Sequence, residues 1–107
     1  NRRYKMALRI EYMRCVGSGM TIPLTALFLD NGICIVNLLG EAFIEYQLLS
    51  QQLQPDRFVA VASYGDCGTG YIPMEKSYEE GGYEPMDAFV TPECEAILTQ
   101  ALQEFLA

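Results

Sequence analysis

Ala26-Leu27-Phe28-Leu29-Asp30-Asn31-Gly32-Ile33-Cys34-Ile35-Val36-Asn37-Leu38 is the stretch whose reading decides the fold. Two runs of β-forming residues flank an Asn-Gly pair, and both of those residue types tolerate positive φ, so the chain is expected to fold back as an antiparallel hairpin. The first strand of the pair extends from Ile22 to Leu29. The second, Ile33 to Leu38, is nearly continuous in apolar residues, the pattern of a strand buried on both faces.

Upstream, residues 4–14 alternate Met6, Leu8, Ile10 and Tyr12 with Lys5, Arg9 and Glu11, which predicts an earlier strand with one wet face. Gly17-Ser18-Gly19 breaks it. Downstream the period changes. Phe43, Ile44, Tyr46, Gln47, Leu48, Leu49 and Leu53 recur as one face of a helix that stops before Pro55. Phe58 to Ala62 predicts a further buried strand, followed by a glycine-rich loop from Gly65 to Gly70. Pro73 to Glu80 predicts a short helix ended by Gly81-Gly82. Pro92 opens the last helix, with Glu93 and Glu95 in its first turn and Ile97, Leu98, Ala101, Leu102, Phe105 and Leu106 on its apolar face.

The expected fold is therefore α/β: a mixed sheet with a β-hairpin and covering helices in the order β-β-β-α-β-α. The apolar strands 33–38 and 58–62 belong at its centre. The 107 residues make one domain, and half of them are hydrophobic, enough for one core. The sheet is expected to continue into chain outside this sequence, which would make residues 1–107 a portion of a larger α/β domain. The chain opens Asn-Arg-Arg-Tyr, so any targeting signal is expected outside it, and localisation is left open.

Composition narrows the function. Fourteen acidic residues against seven basic ones give a net charge of −7, which argues against nucleic acid because phosphates demand clustered Lys and Arg. The one basic cluster, Arg2, Arg3, Lys5, Arg9 and Arg14, reads as a solvated face. No apolar run approaches the roughly 18 residues of a membrane helix. Cys15, Cys34, Cys67 and Cys94 lack C-x-x-C spacing, so a four-cysteine zinc site is not expected; their disulfide state is open, and Cys34 reads as a free buried thiol. The chain contains no histidine, which excludes a self-contained Ser-His-Asp triad and leaves Cys67 without a base.

In open α/β sheets ligands bind beyond the carboxyl ends of central strands. Two segments qualify: Asn37-Leu38-Leu39-Gly40-Glu41, and the loop from Ser63 to Tyr71. If their strands are parallel neighbours, Glu41 and Tyr71 face one cleft. Plainer roles stand beside these: Glu41 as a carboxylate favoured in a helix's first turn, and Tyr71 as a partly buried aromatic with a bonded hydroxyl. The glycines of the loop do not match a phosphate-binding motif. Asp66, Glu79 and Glu80 read as solvated acids or a weak cation site.

From about residue 24 onward the chain resembles the neutral/alkaline non-lysosomal ceramidases. Ala26 to Phe43 is similar to the family segment in which a strand pair ends in Pro-Gly-Glu before a helix. Gly70-Tyr71-Ile72-Pro73 and Tyr78-Glu79-Glu80-Gly81-Gly82-Tyr83-Glu84 resemble its second block, including the twelve-residue step between two functional tyrosines. The chain departs from the family at Leu39, where proline is usual, at Met74, where threonine is common, and in the loop before Tyr71.

The resemblance implies the C-terminal part of a zinc-dependent amide hydrolase. Glu41 and Tyr71 would be zinc ligands, and Tyr83 the catalytic phenol that hydrogen-bonds the developing oxyanion. The family's other zinc ligands are upstream histidines, so zinc is implied for the intact parent protein and not for this chain alone, which is expected to be inactive. Its implied partners are the N-terminal part of the same protein, a lipid-amide substrate of that parent, and a second copy docked on an exposed apolar surface. A non-catalytic α/β interaction or assembly domain is the alternative.

Overall fold

A computed structural model describes residues 2–65 and 69–107. The fold is α/β, with a mixed three-stranded sheet and a separate two-stranded one. The predicted hairpin is present. Strand β1 (Thr25–Leu29) pairs antiparallel with β2 (Ile33–Leu39), in the register Leu29 opposite Ile33. A three-residue 3₁₀ turn, Asp30–Gly32, joins them in place of a two-residue loop, with Asp30 in the left-handed region (φ 38°). Aspartate tolerates that conformation better than most residues.

Residues 4–14 are not a strand. They lie inside helix α1 (Arg2–Gly17). Alternation misleads here because Met6, Ala7, Leu8, Arg9 and Glu11 are strong helix formers, and Leu8, Tyr12 and Cys15 also share a helical face. None of α1's residues is buried. Its attachment is through side chains: Lys5 and Arg9 bind Asp87, and the Tyr12 ring meets Phe89 at 5.4 Å between centroids.

Beyond β2 the chain forms a two-residue strand β3 (Glu41–Ala42), then helix α2 (Ile44–Leu53), and β4 (Phe58–Gly65). β4 runs parallel to β2, giving the order β1-β2-β4. β2 is central as expected, but β4 is an edge. Its apolar character comes from Val59 and Val61, which pack inward, and not from a second neighbour. After the loop come β5 (Tyr71–Ile72), α3 (Glu75–Glu80), α4 (Tyr83–Asp87) and α5 (Cys94–Leu106). The sequence gives no periodic signal for β3, β5 or α4, which are too short to carry one. Gly81 (φ 79°) and Gly82 (φ 127°) turn the chain between α3 and α4 in conformations that side chains disfavour.

The core lies on one side of the sheet. Cys34, Val36, Leu38 and Val59 face Tyr46, Leu102 and Leu106 from α2 and α5. The Tyr46 hydroxyl donates to the Pro73 carbonyl at 3.2 Å, and Gln54 donates to the carbonyl of Leu106 at the end of α5. A buried Leu of this kind contributes roughly 1.5–3 kcal/mol over an exposed one.

The other side is bare. Register places Leu27, Ile35 and Ala60, and likewise Leu29, Ile33 and Phe58, on this outer face. Leu27 is 54% and Phe58 69% exposed. β2 is thus buried mainly on one face: Cys34, Val36 and Leu38 are covered, while on the other Ile33 is open and Leu39, at the strand's end, is buried. Cys34 is a free buried thiol, as its apolar setting predicts, and Cys15 and Cys94 are also free. Cys67 and Asp66 lie outside the described residues.

Candidate functional site

The site grows from Gly40. Its φ of 96° and lack of a side chain let the end of β2 turn against the segment that precedes β5. The amide of Glu41 donates to the Gly70 carbonyl at 2.7 Å, and that of Phe43 to Ile72 at 3.2 Å. β3 and β5 thereby pair in parallel with Glu41 opposite Tyr71 and Ala42 opposite Ile72. Directly paired residues project from the same face of a sheet. Two positions thirty apart in sequence become neighbours in this way.

Tyr83, at the start of α4, completes the group. Its ring meets that of Tyr71 edge-on, with centroids 5.8 Å apart and planes at 80°, a favoured aromatic arrangement. Its hydroxyl donates to Asp87 Oδ2 at 3.2 Å and accepts from Lys5 Nζ at 3.4 Å. Asp87 also binds Lys5 directly at 3.0 Å and Arg9 at 2.9 Å. The hydrogen bond from Lys5 holds the Asp87 carboxyl below its ordinary range, against a smaller opposing effect of burial. The Tyr71 phenol is pushed up, first by burial and then by the negative field of Glu41 and its acidic neighbours. The Tyr71 phenol therefore keeps its proton and can donate, beside the Glu41 side chain with which it is paired across the strands.

All three residues expected from the sequence are brought together. Glu79 and Glu80 are not; both sit exposed at the end of α3. The plainer role of Glu41 in a helix's first turn does not hold, because Glu41 belongs to β3 and α2 begins at Ile44.

The geometry adds residues that the sequence reading misses. A groove of about 670 Å³ runs beneath α1, lined among others by Glu41, Tyr64, Thr69, Leu39, Tyr12 and Phe89. An apolar chamber of about 420 Å³ shares the Thr69, Leu39 and Tyr12 wall and reaches toward Cys94. Thr69 is buried, and its hydroxyl has no hydrogen-bond partner among the described residues. Tyr64, on the edge of the groove, has a non-glycine backbone in the left-handed region (φ 68°). No sequence signal marks Lys5 or Asp87, because their pairing depends on a helix docking across the fold.

A carboxylate flanked by phenols can accept from and donate to a polar ligand. It does not by itself make a zinc site. Structural and catalytic zinc take at least three protein groups, usually with nitrogen or sulfur. Among the described residues no three His, Cys, Asp or Glu side chains come together, and the chain has no histidine. Glu41 and Tyr71 alone fall short of such a set.

No family model, curated protein or solved structure matches the chain.

Proposed function

We propose that the chain is the C-terminal portion of a zinc-dependent amide hydrolase resembling neutral ceramidase, inactive alone, in which Glu41 and Tyr71 supply one side of a metal site and Tyr83 the oxyanion donor. One observation carries this reading: Glu41 and Tyr71 are direct partners across β3 and β5, with the Tyr83 ring edge-on to Tyr71. Hydrolysing an amide creates negative charge on the carbonyl oxygen, and an oriented phenol O–H is one group that stabilises it. The remaining metal ligands would come from other parts of the parent protein, and the substrate would be a lipid amide.

The test is hydrolysis of a fluorogenic N-acyl substrate by the longer protein that contains this segment. Glu41→Gln and Tyr71→Phe should abolish activity and metal retention together. Tyr83→Phe should lower kcat by about 10²–10³-fold with metal retained. Unchanged turnover in all three variants would remove the reading.

A second reading, a non-catalytic interaction or assembly domain, draws on the bare outer sheet face of Leu27, Leu29, Ile33 and Phe58. It predicts a stable complex with another segment or a second copy on that face, and no dependence of function on Glu41.

A further inference from the structure

Helix α1 contributes nothing to the core, and no residue of it is buried. Along its length only Arg9, Tyr12 and Cys15 are partly covered. Their spacing of three puts them on one face, and that face lies over the groove. Glu11, Tyr12 and Cys15 line it from α1, and Glu41 and Thr69 line it from the body of the fold. Tyr12 and Val16 also close the apolar chamber. Without α1 both cavities lose a wall.

What holds α1 there is weak and gathered near one point. Lys5 and Arg9 reach Asp87 at 3.0 and 2.9 Å, and Arg9 also donates to the Met86 carbonyl at 3.3 Å. Both cations and the carboxylate are partly exposed, and ion pairs of that kind add little stability. Apolar attachment comes from the Tyr12 ring against Phe89. The connector offers no resistance. Residues 16–23 are exposed throughout, and a Cβ at Gly17 or Gly19 would meet nothing within 4 Å. The chain is anchored again at Leu24, which packs against the core. Elements with so few buried contacts open at lower free energy than a core, and the lids of binding sites are drawn from them.

We propose that α1 is a latched cover over the Glu41 groove, held shut by Asp87 through Lys5 and Arg9 and free to lift on residues 17–23 while the core stays folded. Lifting admits a ligand to the wall that carries Glu41. That Glu41 is the working carboxylate rests on the reading above; the motion of the cover does not, and the experiment separates the two.

Asp87→Asn unlatches the cover from the body of the fold, and Lys5→Gln combined with Arg9→Gln unlatches it from α1. The measurement on this chain is methyl-proton relaxation by a dissolved gadolinium chelate. It is read at Thr69 and Leu39, which are buried on the covered walls, and at Leu102 and Leu106 in the core. Losing two partly exposed pairs should raise the open population about 2- to 30-fold. Relaxation at Thr69 and Leu39 should therefore rise in both variants, with Leu102 and Leu106 at the parent rates. Unmoved Thr69 and Leu39 in either variant overturn the proposal. So does a matching rise at Leu102 and Leu106, which makes α1 part of the cooperative core. If the cover lifts as expected while Glu41→Gln leaves amide hydrolysis by the longer protein intact, the cover stands and the hydrolase reading falls. If the cover stays shut while Glu41→Gln abolishes hydrolysis, the cover falls and the hydrolase reading stands.

Discussion

Gly40 and Gly70 meet backbone to backbone: a methyl group on Gly40 would lie 2.6 Å from the Gly70 carbonyl oxygen and 2.8 Å from Thr69 Oγ1. The contact sets the register of β3 on β5, and so brings Glu41 opposite Tyr71. Gly40→Ala should therefore cost stability twice, through its φ of 96° and through collision with backbone that cannot yield. The expected loss is about 2–4 kcal/mol in urea unfolding. A loss below about 0.5 kcal/mol would mean that the two strands do not pack this closely.

The two sides of the sheet should respond in opposite ways to substitution. Leu102 is fully buried, and Leu102→Ala should destabilise by about 2–5 kcal/mol. Leu27 lies on the bare face, and Leu27→Thr should change monomer stability by less than about 1 kcal/mol while reducing self-association. Chemical denaturation and sedimentation at several concentrations measure the two effects. Equal losses at both positions would show that the outer face is covered.

Acid should release α1 before it unfolds the core. Asp87 has its carboxyl held below the ordinary value chiefly by Lys5. A depressed carboxylate contributes stability that is complete above its unfolded value, about 3.9, and is lost as pH falls through the lower folded value. Cross-relaxation between the Tyr12 and Phe89 rings should therefore fade below about pH 4, with the α2 and α5 signals unchanged. In Asp87→Asn it should already be weak at neutral pH. High salt should mimic the loss, because the pairs are partly exposed.

Thiol chemistry offers a check on the core. Cys34 is fully buried, and its thiol is pushed up by burial; Cys94 is pushed up for the same reason. In the native state an aromatic disulfide reagent should modify Cys34 only at the rate of global unfolding, well after Cys15, which is only partly covered on α1. Fast native labelling of Cys34 would contradict the packing of β2 on α5.

The parts of the fold that could be read from the sequence are those with a repeated physical signal. The Asn-Gly turn between two apolar runs identifies β1 and β2, and Pro55 and Pro92 bound α2 and α5 correctly. Residues 4–14 mislead because alternation and helical spacing coexist in one stretch, and what decides between them is the helix-forming character of Met6 to Glu11. β4 reads as central from the sequence but is an edge, because apolar residues identify burial without counting neighbours. At the site, Glu41 and Tyr71 meet across β3 and β5; the sequence offers this only on the condition that strands 33–38 and 58–62 are parallel neighbours, as β2 and β4 are. Tyr64 carries no sequence signal, since the bulge between Ala62 and Gly65 depends on the register of β4 against the neighbouring strand. Asp87 is unmarked in the sequence because its partners lie across the fold on α1.

Gly81 and Gly82 form a swivel just before Tyr83, and this supplies a handle on the phenol that touches neither ring. A β-branched residue at either position would force the joint into a different pose and swing α4 as a lever, carrying Tyr83 away from Tyr71 and Asp87 away from Lys5 in a single stroke. The aromatic contact and the anchorage of α1 are thus geared together through one hinge of two residues.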